Sequence, residues 1–352
     1  MTITLDPVDR VMLLFVVISV AAQAQNFKVR LDSLPAYHPQ QSVSGVIRIW
    51  GHGNRKHDFV GGLVKTWEEG FRKYQPGITF DTELRGDASA IGGLYTRAAD
   101  IALMGREISP IEADGYEQGL GYKPFSVSVA TGSLDKLHHD FAVVIFVHRD
   151  NPLSKLTLAQ LDAVFGADHR RGPKNIRRWR DLGLNGEWTN QPINLYGYGI
   201  GTDLAQYFEQ AVLADSRKWN CHLREFPARR NPGGSTVDAG QDIIDALAKD
   251  RCGMAFASLA DKNSQVKAVP LALTESGPFY QATTEAVIDR QYPFVRTPYM
   301  FINRIPGQAI DPRIREYLRY VLSREGQEVV TRDGGYLPLN SEVLQQQREK
   351  LQ

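Results

Sequence analysis

A loop near residue 50 combines the features that a protein needs to hold a small anion. The apolar run Val46–Trp50 is typical of a strand, and Gly51-His52-Gly53 follows it directly. After the loop, apolar residues recur at the four-residue spacing of one helix face: Phe59, Leu63, Trp67 and Phe71. A helix start leaves backbone N–H groups without partners, and these groups attract anions. The pattern predicts an anion-binding loop, with a tight turn that holds no ligand as the alternative.

The sequence lacks the motifs of nucleotide-dependent, hydrolytic and metal-dependent enzymes. A dinucleotide fingerprint, G-x-G-x-x-G, would begin like Gly51-His52-Gly53, but its third glycine is Lys56 here. The sequence contains no G-x-S-x-G elbow, no H-E-x-x-H helix and no paired-cysteine metal pattern. We therefore expect a binding protein rather than an enzyme, and no cofactor.

Length and charge set the class of molecule. A chain of 352 residues with 42% hydrophobic residues can bury a large core and is long enough for two lobes. The formal net charge of +1 provides no overall field for nucleic acid or an anionic membrane. The basic run from His169 to Arg180 contains Gly172-Pro173, so a solvated loop is favoured there over a polyanion site.

The first 24 residues predict an export signal. Arg10 precedes the apolar run Val11–Ala22, and Ala22-Gln23-Ala24 is a small-residue cleavage pattern. No cysteine follows this pattern, so a lipid anchor is not expected. The two cysteines, Cys221 and Cys252, either form a disulfide in an oxidising compartment or are small buried residues, and the sequence leaves both interpretations open.

The elements that position the loops follow an α/β pattern. Phe141–Val147 reads as a buried strand, Asn151-Pro152 ends it, and Thr157 caps a helix that runs toward Gly166. Further predicted strands are Ile78–Leu84, Ile193–Tyr196 and Cys252–Ser258, and a long helix starts at Asp311-Pro312.

The stretch FAVVIFVHRDNPLSKLTLAQLDAVFG carries a family resemblance, supported by W-x-D-L-G at Trp179–Gly183 and by YPFVRTPYMFIN after residue 291. These segments resemble phosphate-binding proteins of the PstS type, which are periplasmic receptors of ABC transporters. The resemblance implies a two-lobed type II periplasmic-binding-protein fold with two crossing strands and a ligand cleft between the lobes. Lobe 1 is expected at 45–140 plus 290–352, and lobe 2 at 141–289. The implied function is capture of phosphate or a related oxyanion for uptake through an ABC permease, by a monomer in the periplasm or outside the cell.

The resemblance adds ligand-contacting positions on three further loops to the Gly51-His52-Gly53 loop. They are Asp87, Ala88, Ser89, Gly105, Arg106, Gly199, Gly201 and Thr202. Three positions depart from the family pattern. Gly105 stands where the family places an aspartate, Tyr196 where it places an arginine, and Ile200 where it places a serine.

These departures leave two questions about the site. Asp87 either replaces the missing acceptor for a protonated oxyanion or caps the helix that follows it. The cation lost at Tyr196 has four candidate replacements: Arg106, Arg229, Arg230 and His52. The departures also favour a second function, in which the fold has lost phosphate transport and acts as a secreted sensor, adhesin or scaffold.

Overall fold

The computed structural model describes residues 31–53, 59–132, 143–172, 174–230, 236–237, 239–333 and 335–352. Its α-helices are α1 (Phe59–Tyr74), α2 (Asp87–Tyr95), α3 (Pro110–Leu120), α4 (Leu158–Phe165), α5 (Asp203–Ala211), α6 (Gly240–Leu247), α7 (Thr284–Ile288), α8 (Pro312–Val321), α9 (Arg324–Asp333) and α10 (Ser341–Glu349). Its strands are β1 (Gly45–Gly51), β2 (Ile78–Leu84), β3 (Ile101–Met104), β4 (Phe125–Ser128), β5 (Val143–His148), β6 (Leu156–Thr157), β7 (Asn194–Tyr198), β8 (Leu223–Phe226), β9 (Arg229–Arg230), β10 (Thr236–Val237), β11 (Gly253–Ser258), β12 (Val266–Ala268), β13 (Leu271–Ala272) and β14 (Tyr299–Ile302). The predicted signal segment, 1–24, lies outside the described residues.

Two mixed sheets organise the chain. The first has the strand order β2-β1-β3-β14-β4, with β1 parallel to β2 and β3, and β14 antiparallel to both of its neighbours. The second has the order β12-β5-β11-β7-β8, with β11, β7 and β8 mutually parallel and β5 antiparallel to β11 and β12. The chain forms the first four strands of the first sheet, then the second sheet, and returns to the first sheet with β14. Each sheet is the centre of one lobe of a two-lobed α/β fold.

Each sheet has its own apolar core. In the first, Leu63, Trp67 and Phe71 of α1 are buried, as their four-residue spacing predicts. In the second, every residue of β5 and β11 is buried, which explains why these strands read as unbroken apolar runs. The second core extends along the chain to Phe294.

Two chain segments cross between the sheets side by side. The backbone N–H of Val129 donates to the carbonyl of Pro298 at 3.0 Å, and the N–H of Gly132 donates to the carbonyl of Arg296 at 2.7 Å. A Cβ on Gly132 would lie 2.7 Å from that carbonyl oxygen, so the close approach requires glycine. These paired segments are the two crossing strands that the family resemblance implies.

Local signals in the sequence place several elements correctly. Strand β2 begins and ends at the predicted residues, and β1, β7 and β11 differ from the predicted strands by one or two residues at an end. Thr157 caps α4, since its Oγ1 accepts from the N–H of Gln160 at 3.2 Å. No helix within the described ranges has the length and apolar character needed to cross a membrane.

The possible disulfide is not formed, and both cysteines are free thiols in the structure. Strand β7 lies between β8 and β11. Continuing the β11 register back by one pair and the β8 register back by two pairs sets Cys252 and Cys221 on either side of Ile193. Two strand spacings separate their backbones by about 10 Å. Disulfides need Cα atoms within about 7 Å of each other.

Candidate functional site

The first cluster of predicted residues lies where the parallel strands β1 and β3 end. The N–H of His52 donates to the carbonyl of Leu103 at 2.9 Å, and the His52 side chain is only 5% exposed. The His52 ring lies so close to Gly105 that a Cβ on Gly105 would be 2.8 Å from it. The ring also shares a 3.1 Å hydrogen bond with the Tyr336 hydroxyl. The His52 ring fills the space that a side chain at position 105 would need, so an aspartate does not fit there.

Asp87 occupies the next loop and already has partners. It is the first residue of α2, where the N-cap is Gly86 and no side chain caps the helix. Its Oδ1 accepts from the N–H of Gly105 at 2.9 Å, and its Oδ2 lies 3.5 Å from Arg106 Nε. The alternative role of Asp87 as a helix cap is therefore wrong. Its neighbour Ala88 is exposed, and Ser89 Oγ donates to the Gly86 carbonyl at 2.8 Å.

Arg106 is held between two carboxylates. Its Nη1 and Nη2 each donate to Glu112 at 2.8 Å, and its Nε faces Asp87. Burial favours a higher pKa for Glu112, but the hydrogen bonds from Arg106 and from the Ser109 N–H outweigh it and lower that pKa below its usual value. With only 7% of its side chain exposed, Arg106 mainly balances its own lobe's carboxylates.

The second predicted loop starts α5 in the other lobe. Thr202 caps this helix, because its Oγ1 accepts from the N–H of Ala205 at 3.4 Å and donates to the Gly199 carbonyl at 2.9 Å. A Cβ on Gly201 would meet nothing within 4 Å, so the backbone there faces open space. The N–H of Ile200 donates to Glu225 Oε2 at 2.9 Å. A carboxylate of β8 thus occupies one backbone donor of the loop.

Tyr196, at the family's arginine position, points away from this loop. Its hydroxyl donates to Asp250 Oδ2 at 2.8 Å, and Asp250 precedes β11, at the opposite end of the sheet from Gly199. Burial, together with the Asp250 carboxylate, raises the pKa of Tyr196 to about 12.

Sequence reasoning missed Arg296, which lies on the returning crossing segment. Its side chain is 1% exposed, and its guanidinium carbon lies 5.7 Å from the Tyr207 ring centre, within cation–π range. Both residues line a cavity of about 290 Å³. Other lining residues come from both lobes: Arg106, Glu107, Pro110, Gln210 and Asp215. An arginine in the apolar run YPFVRTPYMFIN is the signal that could have identified it.

A second cavity, about 530 Å³, extends the space between the lobes. Ser109 and Pro110 at the start of α3 line one side, and Ile200 and Gln206 line the other. The structure therefore brings the Arg106 loop opposite the Ile200 loop and α5. The described residues give no direct contact between the first-lobe cluster of His52, Asp87 and Gly105 and the second-lobe loop.

The other two candidate cations, Arg229 and Arg230, do not line either of the two cavities between the lobes. Arg229 pairs with Asp242 at 2.6 Å, and Arg230 lies in β9. In the basic run, Arg171 donates to the carbonyls of Ala211 and Val212 at the end of α5. Among the described residues, no group of three or more His, Cys, Asp or Glu side chains is arranged to hold a metal ion.

Comparisons with known proteins place this geometry in context. The sequence profile described as a PBP superfamily domain matches residues 59–325. The phosphate-binding protein PstS of Pseudomonas aeruginosa is 29% identical over 322 residues, which cover 91% of each chain. The crystal structure of PstS from Borrelia burgdorferi has a TM-score of 0.56 at 13% identity and covers 85% of this chain and 100% of its own. An ABC-type phosphate transport receptor from Vibrio cholerae has a TM-score of 0.52 at 17% identity, with coverage of 83% and 99%.

Proposed function

The chain belongs to the PBP superfamily, and we propose that it is a solute-binding protein that captures an oxyanion, phosphate first, between its two lobes. It acts by binding and release rather than by catalysis. The curated relative from Pseudomonas aeruginosa, named as a phosphate-binding protein, supports this ligand class because the match spans 91% of both chains.

The observation that carries the proposal is the buried guanidinium of Arg296 in a cavity formed by both lobes. Arginine offers planar, permanently charged donors that match an oxyanion. Arg296 thus replaces the cation that position 196 lacks. On the second lobe, the open backbone at Gly201 lies beside the start of α5, whose dipole favours an anion. The N–H groups of Gly199 and Thr202 already donate to the carbonyls of Phe226 and Gly199. On the first lobe, Arg106, Glu107 and Pro110 line the other side of that cavity. We propose that the loops of Gly51–Gly53, Asp87–Ser89 and Gly105 approach the anion when the lobes close.

The crossing segments supply the hinge in this proposal. Val129 and Gly132 hydrogen-bond to Pro298 and Arg296, so the two segments bend as one unit. Lobe closure around a bound anion would exclude water and strengthen each donor. Because Arg296 belongs to the hinge itself, a ligand bound to it couples directly to closure. The division of the lobes at 140/141 and 289/290 is part of this proposal.

Location and partners follow from the same family. We place the mature protein in the periplasm or outside the cell, as a monomer that passes its ligand to an ABC permease. The similar solved structure from Vibrio cholerae is that of an ABC-type phosphate transport receptor, and its shared fold supports this role.

Calorimetric titration tests the proposal. The purified chain is freed of bound anion by unfolding and refolding, then titrated with phosphate and with sulfate at fixed ionic strength. We expect one phosphate per chain with micromolar or tighter affinity. Sulfate has the same shape but carries no proton at neutral pH, so it serves as the comparison ligand. No heat with phosphate would contradict the proposal.

One observation favours a second function. Glu225 occupies the Ile200 N–H, and Tyr196 turns toward Asp250, so this loop has fewer free donors than a dedicated phosphate loop. A protein that kept the fold and lost the ligand would act as a secreted sensor, adhesin or scaffold. Silence with both anions in the titration would favour this function.

A further inference from the structure

A cavity of about 660 Å³ opens in the second lobe, far from the cleft. It is lined by residues that begin β7 and precede β8, including Ile193, Asn194 and Asn220. Because β7 and β8 run parallel, their starts share one edge of the sheet, and the Gly199–Thr202 loop lies at the other edge. This cavity is therefore separate from the space between the lobes.

The cavity has an apolar floor. The side chains that form it are at most 8% exposed and come from the core of the second lobe: Val164, Ile176, Ile193 and Leu195. The Tyr196 ring adds an aromatic wall. A ligand that lies against this floor gains by removing its own apolar surface from water.

Three basic side chains surround this floor: Arg177, His222 and Arg224. None of them forms an ion pair with another described residue. Basic residues nearby do form such pairs, as in Arg180 with Asp181, Lys218 with Asp168 and Arg251 with Glu187. Within the described part of the chain, no Asp or Glu lines the cavity. A nearby carboxylate, Asp250, accepts from Asn194 and Tyr196 of the cavity wall.

The two arginines are held in place. Arg177 Nη1 donates to Asn220 Oδ1 at 2.6 Å, and Asn220, which is 4% exposed, donates through Nδ2 to the Val164 carbonyl at 2.8 Å. The Arg224 guanidinium carbon lies 5.1 Å from the centre of the Phe226 ring. These contacts reduce the conformational entropy that the guanidinium groups lose when they bind an anion.

We propose that this cavity binds a small organic anion, with its oxyanion group between Arg177 and Arg224 and its apolar part on the floor of the cavity. The site lies at the end of the second lobe opposite the cleft, so it does not depend on the oxyanion proposed there. His222 contributes a donor at the rim.

Phenyl phosphate, which joins an oxyanion to an apolar ring, is a suitable probe. We would titrate the full chain with it by calorimetry at fixed ionic strength. The variants are Arg177→Gln, Arg224→Gln and the double variant. Arg180→Gln is the matched control, because Arg180 belongs to the same basic run but does not line the cavity.

We expect the wild type and Arg180→Gln to bind phenyl phosphate equally. Each single variant should raise the dissociation constant about tenfold or more, since a charged hydrogen bond is lost. Arg177 also bonds to Asn220, so Arg224→Gln tests the site without changing an interior contact. No heat with the wild type, or an unchanged dissociation constant in Arg224→Gln, would overturn the proposal.

Discussion

The loops on the two sides of the cleft differ in how their polar groups are used. On the first lobe, Arg106 is buried and bonded to Glu112 and Asp87, and Asp87 takes the N–H of Gly105. On the second lobe, the backbone at Gly201 faces open space, and Glu225, which accepts from the Ile200 N–H, is exposed.

This difference assigns different tasks to the two walls. Buried charges that satisfy one another fix a loop but leave few donors for a ligand. An open loop at a helix start keeps donors available, at the expense of rigidity. We infer that the first wall provides shape, and that the second wall, with Arg296, provides recognition.

The largest effect is expected from Arg106→Gln. It leaves the buried carboxylate of Asp87 and the partly buried carboxylate of Glu112 without their cation, which costs about 3–5 kcal/mol of unfolding free energy. Urea denaturation measures this loss. Arg85→Gln is the control, because Arg85 pairs with Glu83 at the surface and should cost less than about 1 kcal/mol. Equal losses in the two variants would show that the Arg106 network is not structural.

A smaller effect, of opposite sign, is expected from Glu225→Gln. The change removes a negative charge beside the open loop and weakens the competitor for the Ile200 N–H. Phosphate affinity should rise roughly three- to tenfold, since the carboxylate is exposed and partly screened. Calorimetry measures it, with Glu187→Gln as a control that removes the same charge elsewhere on this lobe. Weaker binding in Glu225→Gln would mean that Glu225 instead holds the loop in its binding shape.

The smallest effect concerns acid stability. The folded pKa of Glu112 lies below the ordinary value of 4.5. Its contribution to stability is therefore fully present above about pH 4.5 and is lost as the pH falls through the folded pKa. Glu112→Gln should flatten the fall in unfolding free energy below pH 4.5, as measured by urea denaturation at several pH values. An unchanged slope would contradict the role of Arg106 in lowering this pKa.

The sequence predicts the scaffold well, because the signals for it are local. The apolar runs of β5 and β11, the Thr157 cap and the helix face of α1 each depend on residues close together in the chain. The predicted bounds of β2, Ile78 and Leu84, are also its observed ends.

The site was harder to predict, because its contacts join distant residues. Glu225 reaches Ile200 across 25 positions, and His52 excludes a side chain at Gly105 from another strand. Arg296 reaches α5 through the fold alone, nearly 90 residues away along the printed sequence. Periodicity and motif spacing carry no information on such pairs, so the replacement cation was sought at Arg106, Arg229, Arg230 and His52.

The most direct test of the account is phosphate titration of the wild type, Arg296→Lys and Arg296→Gln under identical conditions, with circular dichroism to establish that all three are folded. If Arg296 is the cation of the cleft, Arg296→Gln weakens phosphate binding by one to two orders of magnitude, and Arg296→Lys retains part of it. Equal phosphate affinity in the three folded proteins would contradict the account.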